Sequence, residues 1–204
     1  VMDMDKFYIT IGRQYGSGGK EIGQKLAARL EVPFYDKELL TAAAKQSGIC
    51  EEMFEAHDEK PTNSFLYSLV MGGYGGGTPM NHKLFLAQFD AIKDLAKKSS
   101  CVILGRCADY ALEGHPHLIN VFIHADIDFR VRRGIATYNL DPNKAKDIIL
   151  KTDKGRASYY NFYSGKKWGQ ADTYDLCINS AKVGIDGAVD MILDFMNRAR
   201  SNQN

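Results

Sequence analysis

Between Gly12 and Glu21 the chain reads GRQYGSGGKE, with Gly12, Gly16, Gly18 and Gly19 ahead of Lys20. A glycine-rich turn at the start of a helix aims several backbone N–H groups at one anion, the helix dipole adds partial positive charge, and a lysine adds a full one. Phosphate is the natural ligand of Gly16, Ser17, Gly18, Gly19 and Lys20, with Arg13 just ahead of them. Further cations lie far along the chain. Arg106 follows Val102-Ile103-Leu104-Gly105, where a guanidinium could hold phosphate bidentately; an ion pair with Asp109 is its ordinary alternative use. Arg130 and Arg133 are three apart, and Arg156, Tyr160 and Tyr163 follow at intervals of four and three, so each set shares a helix face. Such a basic and aromatic face could close over a nucleotide or simply pack.

The loop departs from the phosphate-loop motif, which needs Gly, four residues, then Gly-Lys and Ser or Thr. With Lys20 in the lysine place, Gln14 stands for the first glycine and Glu21 for the hydroxyl. One residue earlier, Arg13 takes the first glycine place, Gly19 the lysine place and Lys20 the hydroxyl place. Neither frame satisfies the motif. The nearest oxygen ligands for a metal on bound phosphates are Ser17 and Glu21.

The elements that would position these residues are legible in pattern. Phe7 to Ile11 is aromatic and β-branched, which suits a strand, and Ile22, Leu26, Ala27 and Leu30 recur at helical spacing, with Gly23 on the same face to allow close approach to a sheet. Val32–Tyr35 predicts a second strand, and Asp36 after it can cap a helix over Lys37–Lys45. Leu84, Leu86, Phe89, Ile92, Leu95 and Ala96 fit a long amphipathic helix, preceded by a glycine run, Gly72–Gly77, in a segment Met71–Met80 expected to be a mobile loop. Further strands are predicted at Cys101–Leu104, Ile119–His124 and Leu176–Asn179. Asp126 and Asp141-Pro142 read as helix starts, with the proline in the first helical position, and Ile185, Val189, Ile192, Leu193 and Met196 line a closing helix. Five strands alternating with helices imply an α/β fold, a parallel sheet covered on both faces, with ligands gathering beyond the carboxyl ends of its strands.

Composition narrows the function. The 204 residues are 45% hydrophobic and 25% charged, suited to one domain, and no apolar run approaches the roughly 20 residues needed to span a bilayer. No export signal is visible, so a cytoplasmic protein without membrane partners is expected. A formal net charge of +1 argues against general nucleic-acid binding. Asp126 to Lys167 nevertheless holds ten Lys or Arg against five Asp, which suits a small polyanion such as a nucleotide. The four cysteines, Cys50, Cys101, Cys107 and Cys177, lack C-x-x-C spacing, and His115 and His117 flank Pro116 in a turn-like composition, so neither zinc nor disulfides are expected.

The stretches ITIGRQYGSGGKEIGQKLA, VPFYDKELL, VILGRCADYAL, DKGRASYYNFYSGKKWG and YDLCINS resemble the cytidylate kinase-like proteins, relatives of bacterial cytidylate kinases among the nucleoside monophosphate kinases. The resemblance spans nearly the whole chain. It implies a P-loop NTPase fold with a five-stranded parallel core, a helical acceptor-binding insertion at about 47–100 and a lid at about 130–168. It also implies ATP and Mg2+ as cofactors and a nucleotide and a small acceptor as partners. Gly16 to Lys20 would cradle donor phosphates, Arg106 would meet the acceptor phosphate, Arg130, Arg133 and Arg156 would clamp the transferring group, and Asp36 would stand near the acceptor or a metal-bound water. Where cytidylate kinases carry Asp on both sides of Gly-Arg after the third strand, this chain has Leu104 and Cys107.

Two other functions compete. A P-loop protein that binds nucleotide without catalysis, in regulation or assembly, is supported by the broken motif itself. A short-chain dehydrogenase is suggested by Gly12-x-x-x-Gly16-x-Gly18, by Asp36 as a ribose-binding acid and by Tyr163 and Lys167 in a Y-x-x-x-K pattern, although Gly165 interrupts the helix that should carry that pair.

Overall fold

A computed structural model of the chain describes residues 6–46 and 80–201. Cys50, the run Gly72–Gly77 and most of the expected insertion at about 47–100 lie outside the described residues. Strands β1 (Tyr8–Arg13), β2 (Phe34–Tyr35), β3 (Cys101–Leu104), β4 (Leu118–His124) and β5 (Leu176–Asn179) form one sheet in the order β2-β3-β1-β4-β5. All four pairings are parallel. Tyr8 pairs with Cys101 on one side and Leu118 on the other, so β1 is central and delivers the glycine loop to the middle of the carboxyl edge. A dinucleotide-binding sheet has β2 beside β1. Here β3 lies between them, which overturns the dehydrogenase reading; Tyr163 and Lys167 also straddle the end of their helix rather than sharing it.

The α-helices among the described residues are α1 (Gly19–Leu30), α2 (Lys37–Gln46), α3 (Met80–Lys98), α4 (Ala108–Ala111), α5 (Ile127–Tyr138), α6 (Ala145–Ser164) and α7 (Ser180–Ser201). Alternate strand residues feed two cores. Ile9, Ile11, Val102, Leu104, Val121 and Ile123 face Ile22 and Leu26 of α1 and Val189, Ile192 and Met196 of α7. Tyr8, Cys101 and Ile103 face Leu40 of α2, Ile92 and Ala96 of α3 and Leu112. Each fully buried aliphatic side chain is worth about 1.5–3 kcal/mol, so both faces hold the sheet. Gly23 lets α1 approach closely, since a Cβ there would lie 2.7 Å from Phe34 Cε2.

Two boundaries and one helix face differ from expectation. Val32 donates its N–H to the Ala27 carbonyl at 3.0 Å and closes α1, with Glu31 left-handed at φ 54°, so β2 begins at Phe34. Asp141 holds a capped turn through Asn143 N at 2.9 Å, and α6 starts only at Ala145, which leaves Pro142 outside the helix. In α3, Leu86 is 44% exposed while Phe85 is buried and stacks on Tyr163 with ring centroids 3.8 Å apart, so the buried stripe runs through Phe85 rather than Leu86. Asp36 and Asp126 cap as expected, accepting from Leu39 N at 3.2 Å and Phe129 N at 2.8 Å. No helix among the described residues is long and apolar enough to cross a membrane.

Candidate functional site

The loop leaves β1 and turns through two left-handed glycines, Gly16 at φ 80° and Gly18 at φ 85°, before α1 opens at Gly19. Both positions need glycine twice over: besides the backbone, a Cβ on Gly16 would lie 2.7 Å from the Arg130 carbonyl oxygen, and one on Gly18 would strike Ile185 Cδ1. Ser17 is fully buried; its hydroxyl donates to the Gln14 carbonyl at 2.7 Å, and its own carbonyl accepts from Ser180 Oγ at 2.6 Å. The N–H groups of Gly18, Gly19, Lys20 and Glu21 meet no acceptor among the described residues, as the first turn of a helix leaves them. They form an anion-ready cradle at the start of α1.

The helix opens at Gly19, the residue in the lysine place of the second frame. Lys20 turns away from the loop and pairs with Asp36 at 2.9 Å. That bond holds the Lys20 ammonium above its usual pKa; burial alone would push the Asp36 carboxyl up, but the bonds from Lys20 and the Leu39 amide outweigh it and hold the carboxyl below its usual range. Arg13, at the end of β1, carries the cation instead. Its side chain passes over Gly19, where a Cβ would lie 2.5 Å from Arg13 Cβ, and its guanidinium rests against Gly105, where a Cβ would fall within contact of Nη1.

Arg13, Arg106 and Arg156 converge on a cavity of about 380 Å³ beyond the carboxyl ends of β1 and β3, walled also by Asp109, Tyr159, Tyr160, Trp168 and Tyr174. Burial, then Arg156 and Arg106, lower the Arg13 guanidinium to about 9; burial lowers Arg156 as well. Arg156 donates from Nη1 to the Arg13 carbonyl at 3.0 Å and lies over the Tyr15 ring. Arg106 donates from Nε to Gln88 Oε1 at 3.0 Å, and its guanidinium lies 4.8 Å from the centre of the Tyr159 ring. Gly105, Arg106 and Cys107 have φ of 70°, 58° and 55°, a left-handed run that costs energy at the two non-glycine residues and turns Arg106 into the cavity. Three guanidiniums held together without a carboxylate bonded to any of them among the described residues constitute a site for a polyanion.

Other expected site residues are placed differently. Arg106 makes no ion pair with Asp109, which accepts instead from Tyr160 Oη; burial pushes the Asp109 carboxyl up against that bond. Arg130 is 5% exposed and is bonded to Asp153, whose other oxygen takes the Tyr15 amide at 2.7 Å. It is an internal strut between α5, α6 and the loop, not a surface clamp. Arg133 bonds Glu21 and lies over Gly18, and its buried Nε meets no hydrogen-bond partner among the described residues. The Ser17 hydroxyl is bonded to the Gln14 carbonyl and the Glu21 carboxylate to Arg133; no group of three or more His, Cys, Asp or Glu among the described residues could hold a metal ion.

Sequence reasoning missed Gln88, which is 1% exposed and links Thr41 Oγ1 to Arg106. A polar residue midway between Leu84 and Ile92, on the apolar stripe of α3, was the available signal. Tyr159, Trp168 and Tyr174 carried none beyond aromatic composition. Cys101 and Cys107 are buried thiols pushed up to about 12 by that burial.

The family model of the cytidylate kinase-like family matches residues 8–182. No curated protein matches the chain in sequence. Among solved structures, an uncharacterized protein from Eubacterium ventriosum is 33% identical, with 94% of this chain and 99% of that one aligned at a TM-score of 0.74. A gluconokinase from Sinorhizobium meliloti shares 14% identity over 97% and 95% of the two chains at a TM-score of 0.56. A shikimate kinase from Bacteroides thetaiotaomicron shares 16% over 94% and 98% at a TM-score of 0.51. The last two are likenesses of fold, the P-loop kinase sheet with its helices. With the glycine cradle at the β1–α1 junction, the five-stranded order and a family match over most of its length, this chain belongs to the cytidylate kinase-like family.

Proposed function

We propose that the protein is a small-molecule kinase that passes the terminal phosphoryl group of ATP to an acceptor of the nucleoside monophosphate class. One observation carries this reading: Arg13, Arg106 and Arg156, from three separate elements, converge on a single cavity at the carboxyl edge of the sheet, the edge from which the glycine loop leaves β1. Phosphoryl transfer needs positioning and cations on the equatorial oxygens more than covalent help. The amides hold the donor phosphates, Arg106, fixed by Gln88 and Tyr159, binds the acceptor's anionic group, and Arg156 draws the two toward each other. The stretch at about 47–100 serves as the acceptor-binding insertion and that at about 130–168 as the lid. Magnesium supplied with ATP would neutralise phosphate charge and is commonly held by phosphates and water with few protein ligands; the loop's candidate oxygens for it are the Ser17 hydroxyl, bonded to Gln14, and the Glu21 carboxylate, bonded to Arg133.

The test is acceptor-dependent release of ADP from ATP and magnesium across a panel of nucleoside monophosphates and other small phosphorylated or carboxylated alcohols. Turnover with one member, lost in Arg106→Met, supports the reading; ATP binding without turnover on any acceptor removes it. The second reading, a nucleotide binder without catalysis, is favoured by the bonded state of Ser17 and Glu21 and would be the one left standing by that result.

A further inference from the structure

The loop has exchanged two of its motif positions. Where the motif has its first glycine the chain has Arg13, and where it has lysine the chain has Gly19. In the fold these departures meet: a Cβ at Gly19 would lie 2.5 Å from Arg13 Cβ and 2.8 Å from its Cγ, so the Arg13 stem occupies the room a side chain at position 19 would require. At the other end of the same side chain, Gly105 leaves its backbone bare for the guanidinium. Two side-chain-free positions, on α1 and after β3, thus frame one arginine. Its guanidinium has no hydrogen-bonded acceptor among the described residues and lines the same cavity as Arg106 and Arg156. Lys20, the residue a reader of the motif would choose, is held by Asp36.

We propose that Arg13 is the phosphate-binding cation of this loop, delivering from the end of β1 the charge that a P-loop lysine delivers from the start of α1. The proposal rests on the nucleotide-binding function above and deepens it. Even with its affinity for a proton lowered by burial to about 9, Arg13 remains charged at neutral pH. An arginine here spans further than a lysine and grips two oxygens at once, which suits a cation that must reach from the strand, across Gly19, to the group in transfer. Lys20 is left free to hold Asp36.

The experiment is binding of a fluorescent, non-hydrolysable ATP analogue, with thermal denaturation of each variant as a check on folding. Arg13→Met, which keeps the stem and removes the charge, should bind the analogue at least tenfold more weakly without a lower Tm. Gly19→Lys alone should be crowded by Arg13 and lose binding or stability. The double variant Arg13→Gly with Gly19→Lys, which puts a glycine in the first place of the motif and a lysine in its lysine place, should regain most of the lost affinity relative to Arg13→Gly. A merely structural Arg13 would not be rescued in this way. Wild-type affinity in Arg13→Met, or a double variant no better than Arg13→Gly, overturns the assignment while leaving the function intact; failure of the unmodified protein to bind the analogue overturns both.

Discussion

Arg130 and Arg156 carry the same charge on neighbouring helices, yet their partners commit them to different work. Arg130 is bonded to Asp153 and to the Ala125 carbonyl at 3.0 Å, deep between α5, α6 and the loop. Truncating one partner of such a pair strands the other without solvent. Arg130→Ala should therefore cost about 3–5 kcal/mol of stability in urea unfolding, with Arg130→Met/Asp153→Leu recovering part of it. Arg156→Ala gives up a hydrogen bond to the Arg13 carbonyl, about 1 kcal/mol, and should weaken ATP binding far more than it lowers the Tm. The Lys20–Asp36 pair makes a pH prediction. Asp36 is depressed below the ordinary carboxylate value in the fold, so the stability it contributes is complete above the unfolded carboxylate pKa, about 4, and is lost as pH falls through the lower folded value. Asp36→Asn should thus cost roughly 0.5–1 kcal/mol near pH 7, Lys20 being 46% exposed, and the gap to wild type should close on acidification in parallel denaturation curves. A gap that widens in acid would refute the linkage.

Helix α1 shows how far an element's pattern can be read. Its buried face, Ile22, Gly23, Leu26 and Ala27, follows from spacing alone, as does the closeness that Gly23 permits. Gly23→Ala should overpack α1 against Phe34 and cost about 1–3 kcal/mol, seen as a lower Tm with unchanged secondary structure by circular dichroism. The strands were legible because both faces of the sheet are buried and their apolar runs are continuous. The phase of α3 was not, since Phe85 and Leu86 are equally apolar and it is Tyr159 and Tyr163, on a helix far away in sequence, that pack on Phe85. The same holds for the site. The glycine loop is local and readable, as is Arg106 after β3, whereas the turn of Lys20 toward Asp36 and of Arg13 across Gly19 depends on which residue opens α1. That is decided by packing of Gly16 and Gly18 under α5 and α7, not by local composition.

At the scale of the molecule, the near-neutral chain gathers three guanidiniums around one cavity, so repulsion among them is a standing strain that a bound anion relieves. Inorganic phosphate or sulfate should raise the Tm, the stabilisation growing with the logarithm of its concentration to about 2.7 kcal/mol at one hundred times the Kd, with the increment shrinking as chloride screens the site. Arg13→Met should start from a higher Tm in anion-free buffer and gain less; an equal gain would mean the anions act elsewhere. Ser180 adds a matter of timing. Its hydroxyl donates to the Ser17 carbonyl, 163 positions earlier, and also lies 3.3 Å from the His124 carbonyl, so the turn from β5 into α7 is bonded to the glycine loop. During synthesis the loop leaves the ribosome long before the group that fixes its carbonyl. Ligand-binding competence should therefore mature only once α7 has emerged: ribosome-arrested chains ending before Ser180 should retain no ATP analogue, and chains carried past α7 should retain it. The emerging loop would spend that interval as an unset backbone, and the cell would meet the site fully formed or not at all.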